Sequence, residues 1–174
     1  MKNYISGGLK VLITYCITLV IFVVFLFTVI SLAKDNFGFW LSVYSFAMFL
    51  LLASMVYSDM KRLAIKEKRP QYDLHPYLMK GLVYGLIGMI PFAVLEIIYP
   101  LINLGDPVLE RIKHLALNTL LGPLYGFIKL GNESAAAYVL VLFIVPAIAM
   151  LGYMAGLKGF ELRKNKKAPV KTKK

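Results

Sequence analysis

Four stretches nearly free of charge restrict what this chain can fold into. Residues 11–33, 39–58 and 135–157 contain no Asp, Glu, Lys or Arg, and residues 81–104 contain one, Glu96. An α-helix rises about 1.5 Å per residue, so about 20 residues cross the hydrocarbon core of a bilayer, and each stretch is long enough to do so. Composition agrees: 59% of the 174 residues are hydrophobic and 17% charged, against roughly 45–50% and 25% for an ordinary soluble domain. That leaves too little polar surface to coat a globule in water. The expected fold is an all-α membrane protein with four transmembrane helices and one amphipathic outer-face helix.

The segments between the spans are short. Ser31-Leu32-Ala33 has the small residues of a signal-peptidase site, but the preceding apolar run exceeds the roughly 7–15 residues of a signal h-region, so an uncleaved anchor is expected. Phe37, Phe39 and Trp40 open the second span as an aromatic belt at a headgroup boundary. The 59–80 segment is polar and basic; the second helix is expected to continue into it for two turns to about Lys68, before Pro70 and Pro76 break helical continuation. Residues 106–130 are more structured than a plain loop. Asp106-Pro107 reads as an N-cap with proline at the first helical position, and Val108, Leu109, Ile112, Leu115, Ala116, Thr119 and Leu120 share one helical face up to Gly122-Pro123. That helix is expected to lie flat in the outer interface. The competing arrangement is a re-entrant dip with Gly122-Pro123 at its tip, which is tolerated only where protein or water covers the backbone. Residues 158–174 form a basic cytoplasmic tail.

Orientation follows from the basic residues. Four spans place the lead, the 59–80 segment and the tail on one side, and that side carries 16 of the 20 Lys and Arg. The positive-inside rule then makes both termini cytoplasmic, in a multi-pass protein of the cell (inner) membrane. Lys61, Arg62, Lys66, Lys68, Arg69, Arg163, Lys164, Lys166 and Lys167 are the expected contacts to anionic lipids, which accounts for the net charge of +11 without a nucleic-acid partner.

Glu96 is the candidate functional residue. An ionised carboxylate inside a span must be protonated, paired or hydrated. Pro91 and Pro100 flank it, and proline-broken helices free backbone carbonyls that can ligate cations, so the three residues make a possible ion, proton or partner site. The structural reading pairs Glu96 with Arg111 or Lys113 of the outer helix, or with a tyrosine hydroxyl. Gly81, Gly85 and Gly88, and Gly152 with Gly156, are small-residue spacings that allow close helix packing, and spans three and four are expected to meet there. Thr14 and Thr18 are expected to bond back to helix carbonyls. The single cysteine, Cys16, excludes an internal disulfide. His75 and His114 fall on opposite sides of the membrane, and no metal-binding, phosphate-cradling or catalytic motif is present, so neither cofactor nor enzymatic activity is expected.

A small chain of this kind, with short connections and no catalytic set, is read first as an accessory or assembly subunit of a larger membrane complex. The alternative is a small homo-oligomeric transporter or channel using Glu96.

Overall fold

A computed structural model describes residues 2–32, 36–69, 77–99, 102, 105 and 107–159. Pro70, Pro76, His75, Pro100, Asp106 and the tail residues Arg163, Lys164, Lys166 and Lys167 lie outside these. The described chain is all helix: α1 (Lys2–Leu32), α2 (Phe37–Glu67), α3 (Lys80–Ile98), α4 (Pro107–Leu120), a 3-10 turn at Gly122–Leu124, α5 (Tyr125–Leu130) and α6 (Ala135–Lys158). Four of these, α1, α2, α3 and α6, are long and apolar enough to cross a membrane. The fold is that of an all-α, multi-pass membrane protein.

Three boundaries differ from the charge-free runs. Helix α1 begins at Lys2 and so takes in Lys10, while α2 continues to Glu67 through Asp59, Lys61 and Arg62. Charge ends a hydrophobic run but not a helix, since Lys, Arg and Glu are good helix formers. Helix α3 stops at Ile98, short of Leu104. It runs unbroken through Pro91, as α6 does through Pro146. Ser134 caps α6, its side chain accepting from the Ala137 amide, and Gly159 closes the helix in the left-handed conformation.

Antiparallel connection puts the start of α1, the end of α2, the start of α3 and the end of α6 together at one end of the bundle, the near end. The core is a column of side chains from all four helices: Val11 and Tyr15, then Leu52, Val56 and Met60, then Tyr84, Met89 and Phe92, then Val141, Val145, Ala149 and Tyr153. Outward rows such as Val20, Val24 and Phe27 of α1 and Leu140, Phe143 and Leu151 of α6 are exposed. An apolar shell around an apolar core is the arrangement that lipid requires.

The helices approach through glycine. A Cβ on Gly81 would lie 2.5 Å from Tyr153 Cβ and 2.7 Å from the Ala149 carbonyl, and one on Gly85 would strike Pro146, so this pair faces α6. Gly88 turns instead to α1, against the Gly8 carbonyl and Val11. Gly152 and Gly156 open onto α2, at Tyr57 and Lys61, rather than onto α3. The two glycine pairs therefore serve different neighbours: α6 meets α3 on one face and α2 on another.

Thr18 bonds back to the Thr14 carbonyl, but Thr14 donates across to Asp59 of α2 at 2.9 Å. A hydroxyl beside a carboxylate gains a charge-assisted bond that a helix carbonyl cannot offer.

The α4–α5 segment does not lie wholly on the outside of the bundle. Leu121, Gly122, Pro123, Leu124 and Ile128 are buried, and Gly122 packs on the Phe22 ring. The Gly122 carbonyl accepts from Ser45 Oγ at 2.7 Å, and the Gly126 amide donates to the same oxygen at 2.8 Å. Tyr15 donates to the Leu120 carbonyl, and the Phe127 ring meets Phe49 edge-on at 4.7 Å. Ser45 lies eight positions from Phe37 along α2, about 12 Å at helical rise. The space exists because α3 is short. The Tyr15 and Phe92 rings meet at a tilt, 4.3 Å between centroids, where α3 has six residues left to run and α1 seventeen. Protein thus covers the irregular backbone at the tip, the condition under which such backbone is tolerated inside a bilayer. The apolar residues Val108, Leu109, Ile112 and Leu115 of α4 are exposed, while Leu117 is buried.

One prediction arises here. Ser45→Ala removes the acceptor of one partly buried backbone amide and the donor to one buried carbonyl. The expected loss is about 2 kcal/mol, read from denaturant unfolding in lipid or mild detergent. A change under about 0.5 kcal/mol would show that Ser45 does not anchor the tip.

Candidate functional site

Besides the Thr14–Asp59 bond, two polar clusters stand out among the described residues, one towards each end of the bundle. The near-end cluster centres on Glu67. Val56, Met60 and Ala64 mark the buried stripe of α2, and Glu67 is its next position after Ala64 at helical spacing. Lys80 opens α3, and Tyr84 follows one turn later on the same face. Tyr153 ends the buried stripe of α6. The result is a carboxylate with three donors aimed at it. Glu67 Oε2 accepts from Lys80 Nζ at 2.8 Å and from the Tyr153 hydroxyl at 2.6 Å, and Oε1 accepts from the Tyr84 hydroxyl at 2.7 Å. Glu67 and Lys80 are 5% and 2% exposed, which places an ion pair fully inside the protein. The Tyr84 and Tyr153 rings meet edge-on at 5.9 Å, and Lys80 Nζ sits 5.6 Å from the Tyr4 ring centroid. Glu67 of α2 therefore joins α3 and α6, and Lys80 brings the Tyr4 ring of α1 alongside.

Burying two charges is expensive, and only good geometry with further hydrogen bonds recovers the cost. Here the three donors supply that geometry, and the ion pair also spans the connection between α2 and α3 at both of its ends. The arrangement is a latch. Both carboxylate oxygens of Glu67 are engaged within the chain.

The far-end cluster contains Glu96. Glu96 and Tyr99 stand three residues apart on one face of α3, the face that carries Met89 and Phe92 into the core. Glu96 Oε1 and the Tyr99 hydroxyl are buried and have no hydrogen-bond partner among the described residues. Tyr15 and Tyr138 lie within electrostatic reach of Glu96. The Tyr138 hydroxyl donates to Asn118 of α4 at 2.9 Å, and His114 stacks edge-on against Tyr99 at 5.3 Å.

The pairing of Glu96 with Lys113 does not form. Lys113 binds Glu110, three residues away on its own helix, at 2.8 Å, and also the Ile102 carbonyl, with its ammonium 4.7 Å from the Tyr99 ring centroid. A local partner costs less side-chain ordering than one reached across helices. Arg111 is exposed, and Pro91 likewise faces outward. Among the basic residues at the near end, Arg62, Lys66, Lys68 and Arg69 are exposed, Lys61 is half-buried, and Lys68 caps α6 through the Leu157 carbonyl. Among the described residues no three His, Cys, Asp or Glu side chains are grouped to hold a metal ion.

Glu67 and Lys80 are the buried pair that composition conceals, because both sit in the basic 59–80 stretch and look solvated. The signal is spacing: the core stripe of α2, continued at helical spacing past Ala64, lands on Glu67. No protein-family model matches the chain, and comparison with curated proteins and with solved structures returns no match.

Proposed function

We propose that this small multi-pass membrane protein is an accessory or assembly subunit of a larger membrane complex. The observation that carries this reading is the Glu67 latch. A buried ion pair there is made within the chain and, with two tyrosine hydroxyls, ties α2, α3 and α6 together. A conduit for polar solutes needs charged or polar groups left free along its interior. A scaffold needs a stable interior and apolar outer faces for neighbours in the membrane, and the exposed rows of α1, α4 and α6 supply those.

In this reading both termini and the latch face the cytoplasm of the cell membrane. The exposed basic residues at the end of α2 meet anionic headgroups, each worth up to about 1 kcal/mol near the surface. The α4–α5 segment dips into the membrane from the opposite side and is held there by Ser45 and Tyr15.

A second reading, a homo-oligomeric transporter or channel, draws on the unpaired oxygen of Glu96. Gentle native extraction followed by intact-complex mass analysis separates the two. A different membrane protein at fixed stoichiometry is the expected result. A homo-oligomer alone contradicts it and moves the transporter reading forward, with flux through Glu96→Gln as the next assay.

A further inference from the structure

Helix α4 is turned the opposite way round from an amphipathic helix packed on a protein. Such a helix sets its apolar face on the body and its polar face outward. In α4 the half-buried Glu110 and Lys113 and the buried Leu117, at i, i+3 and i+7, face the bundle. Lys113 and His114 lie against the Tyr99 ring, and Asn118 accepts from the Tyr138 hydroxyl of α6. Val108, Ile112 and Leu115, on the opposite face, are 62%, 56% and 68% exposed. Of the charged residues of α4 only Arg111 is exposed, and it stands on the flank of that apolar row, in the half of the helix nearer its start.

Two sets of contacts fix how α4 runs. Tyr15 marks one level: its ring meets Phe92 of α3 at 4.3 Å, and its hydroxyl donates to the Leu120 carbonyl at 3.1 Å. Tyr99 marks a second: its ring centroid is 4.7 Å from the Lys113 ammonium and 5.3 Å from the His114 ring. From Phe92 to Tyr99 the chain climbs seven residues towards the far end, about 10 Å. From Leu120 back to Lys113 is also seven residues. Equal steps in opposite chain directions set α4 antiparallel to α3, along the bundle and not across it.

We propose that α4 stands upright in the leaflet at the far end, and that its Val108, Ile112 and Leu115 row is a contact surface for lipid acyl chains. A helix lying flat in the interface has its polarity along the membrane normal. The polarity of α4 points sideways from the bundle, where a multi-pass protein meets hydrocarbon. The exposed Val94 and Ile97 of α3 fall between Phe92 and Tyr99, at the same height, so the row continues the apolar shell of the spans. The deep end of α4 runs into the buried tip at Leu121 and Gly122, and Arg111 at the other end has a stem long enough to reach headgroups.

The test places a spin label at Val108→Cys, Ile112→Cys or Leu115→Cys, each with Cys16→Ser, in the full chain in phosphatidylcholine vesicles. All three positions are exposed, so the label is carried outside the packed interior. Power saturation compares collisions with oxygen, which partitions into lipid, and with a water-soluble nickel chelate, and converts their ratio to depth. The expected result is an excess of oxygen collisions at Ile112 and Leu115. Leu115 should lie about 10 Å deeper than Val108, seven residues at about 1.5 Å each, with Ile112 between them. Equal depths at the three positions overturn the proposal, since they mark a helix lying flat. An excess of chelate collisions at Leu115 also overturns it, and marks a face bare to water that a partner from the aqueous side would cover. The readout is on the isolated chain, so its failure leaves the accessory-subunit reading standing.

Discussion

Glu67→Ala is expected to be the most damaging single substitution in the described chain, costing about 3–5 kcal/mol of stability. It strands the Lys80 ammonium, which is 2% exposed, and removes the acceptor of the Tyr84 and Tyr153 hydroxyls at once. The hydroxyls alone matter less. Interhelical hydrogen bonds in membrane proteins average about 0.6 kcal/mol and reach about 1.7, so Tyr84→Phe and Tyr153→Phe should each fall in that range. The contrast identifies the term that dominates: an uncompensated buried charge outweighs one lost hydroxyl bond severalfold. Denaturant unfolding of the three variants in the same detergent measures it. If Glu67→Ala costs no more than the tyrosine variants, the buried charge is not what the latch balances.

The second large effect is expected at Gly152. The three nearest atoms a methyl group there would meet are all α2 backbone, with the Tyr57 carbonyl oxygen at 2.6 Å and its Cα at 2.9 Å. Backbone cannot rotate away as a side chain can, so α2 and α6 must move apart, and both stripes of the core go with them. Gly152→Ala should cost about 1–3 kcal/mol, and Gly152→Val more. Gly126→Ala is the control, because its Cβ would sit 3.4 Å from the nearest atom, the Ser42 carbonyl oxygen, in ordinary contact. A stability change in that control as large as in Gly152→Ala would show that the close α2–α6 approach does not set the cost. The measurement is unfolding midpoint for both variants against wild type.

The spans were legible in the sequence because a bilayer reads length and apolarity, and both are local properties. Residues 135–157 differ from α6 by a single position. The glycine spacings announced close approach without naming the neighbour: Gly152 and Gly156 could have faced α3, and they face α2, because a small-residue pair specifies a gap and not what fills it. The ends of the helices were less legible. Glu67 and Lys80 look like two charges among many in a basic connection, and only the three-dimensional meeting of four helix ends makes them interior. Lys113 shows the same limit in reverse. Its charge invited a long-range partner in Glu96, while a shorter route to Glu110 was available on its own helix. The depth of the α4–α5 segment depended on a quantity invisible in that segment itself, the early end of α3, which opens the space that Gly122 and Leu124 fill.

The most direct test of the account is a double-mutant cycle between Glu67 and Lys80, using Glu67→Gln, Lys80→Met and both together, with unfolding free energies measured in lipid. The account predicts a coupling of about 2 kcal/mol or more, with the double variant more stable than the sum of the single losses, because removing both charges also removes the cost of burying either. Additive losses, with coupling within about 0.5 kcal/mol of zero, would contradict the latch that holds this bundle closed.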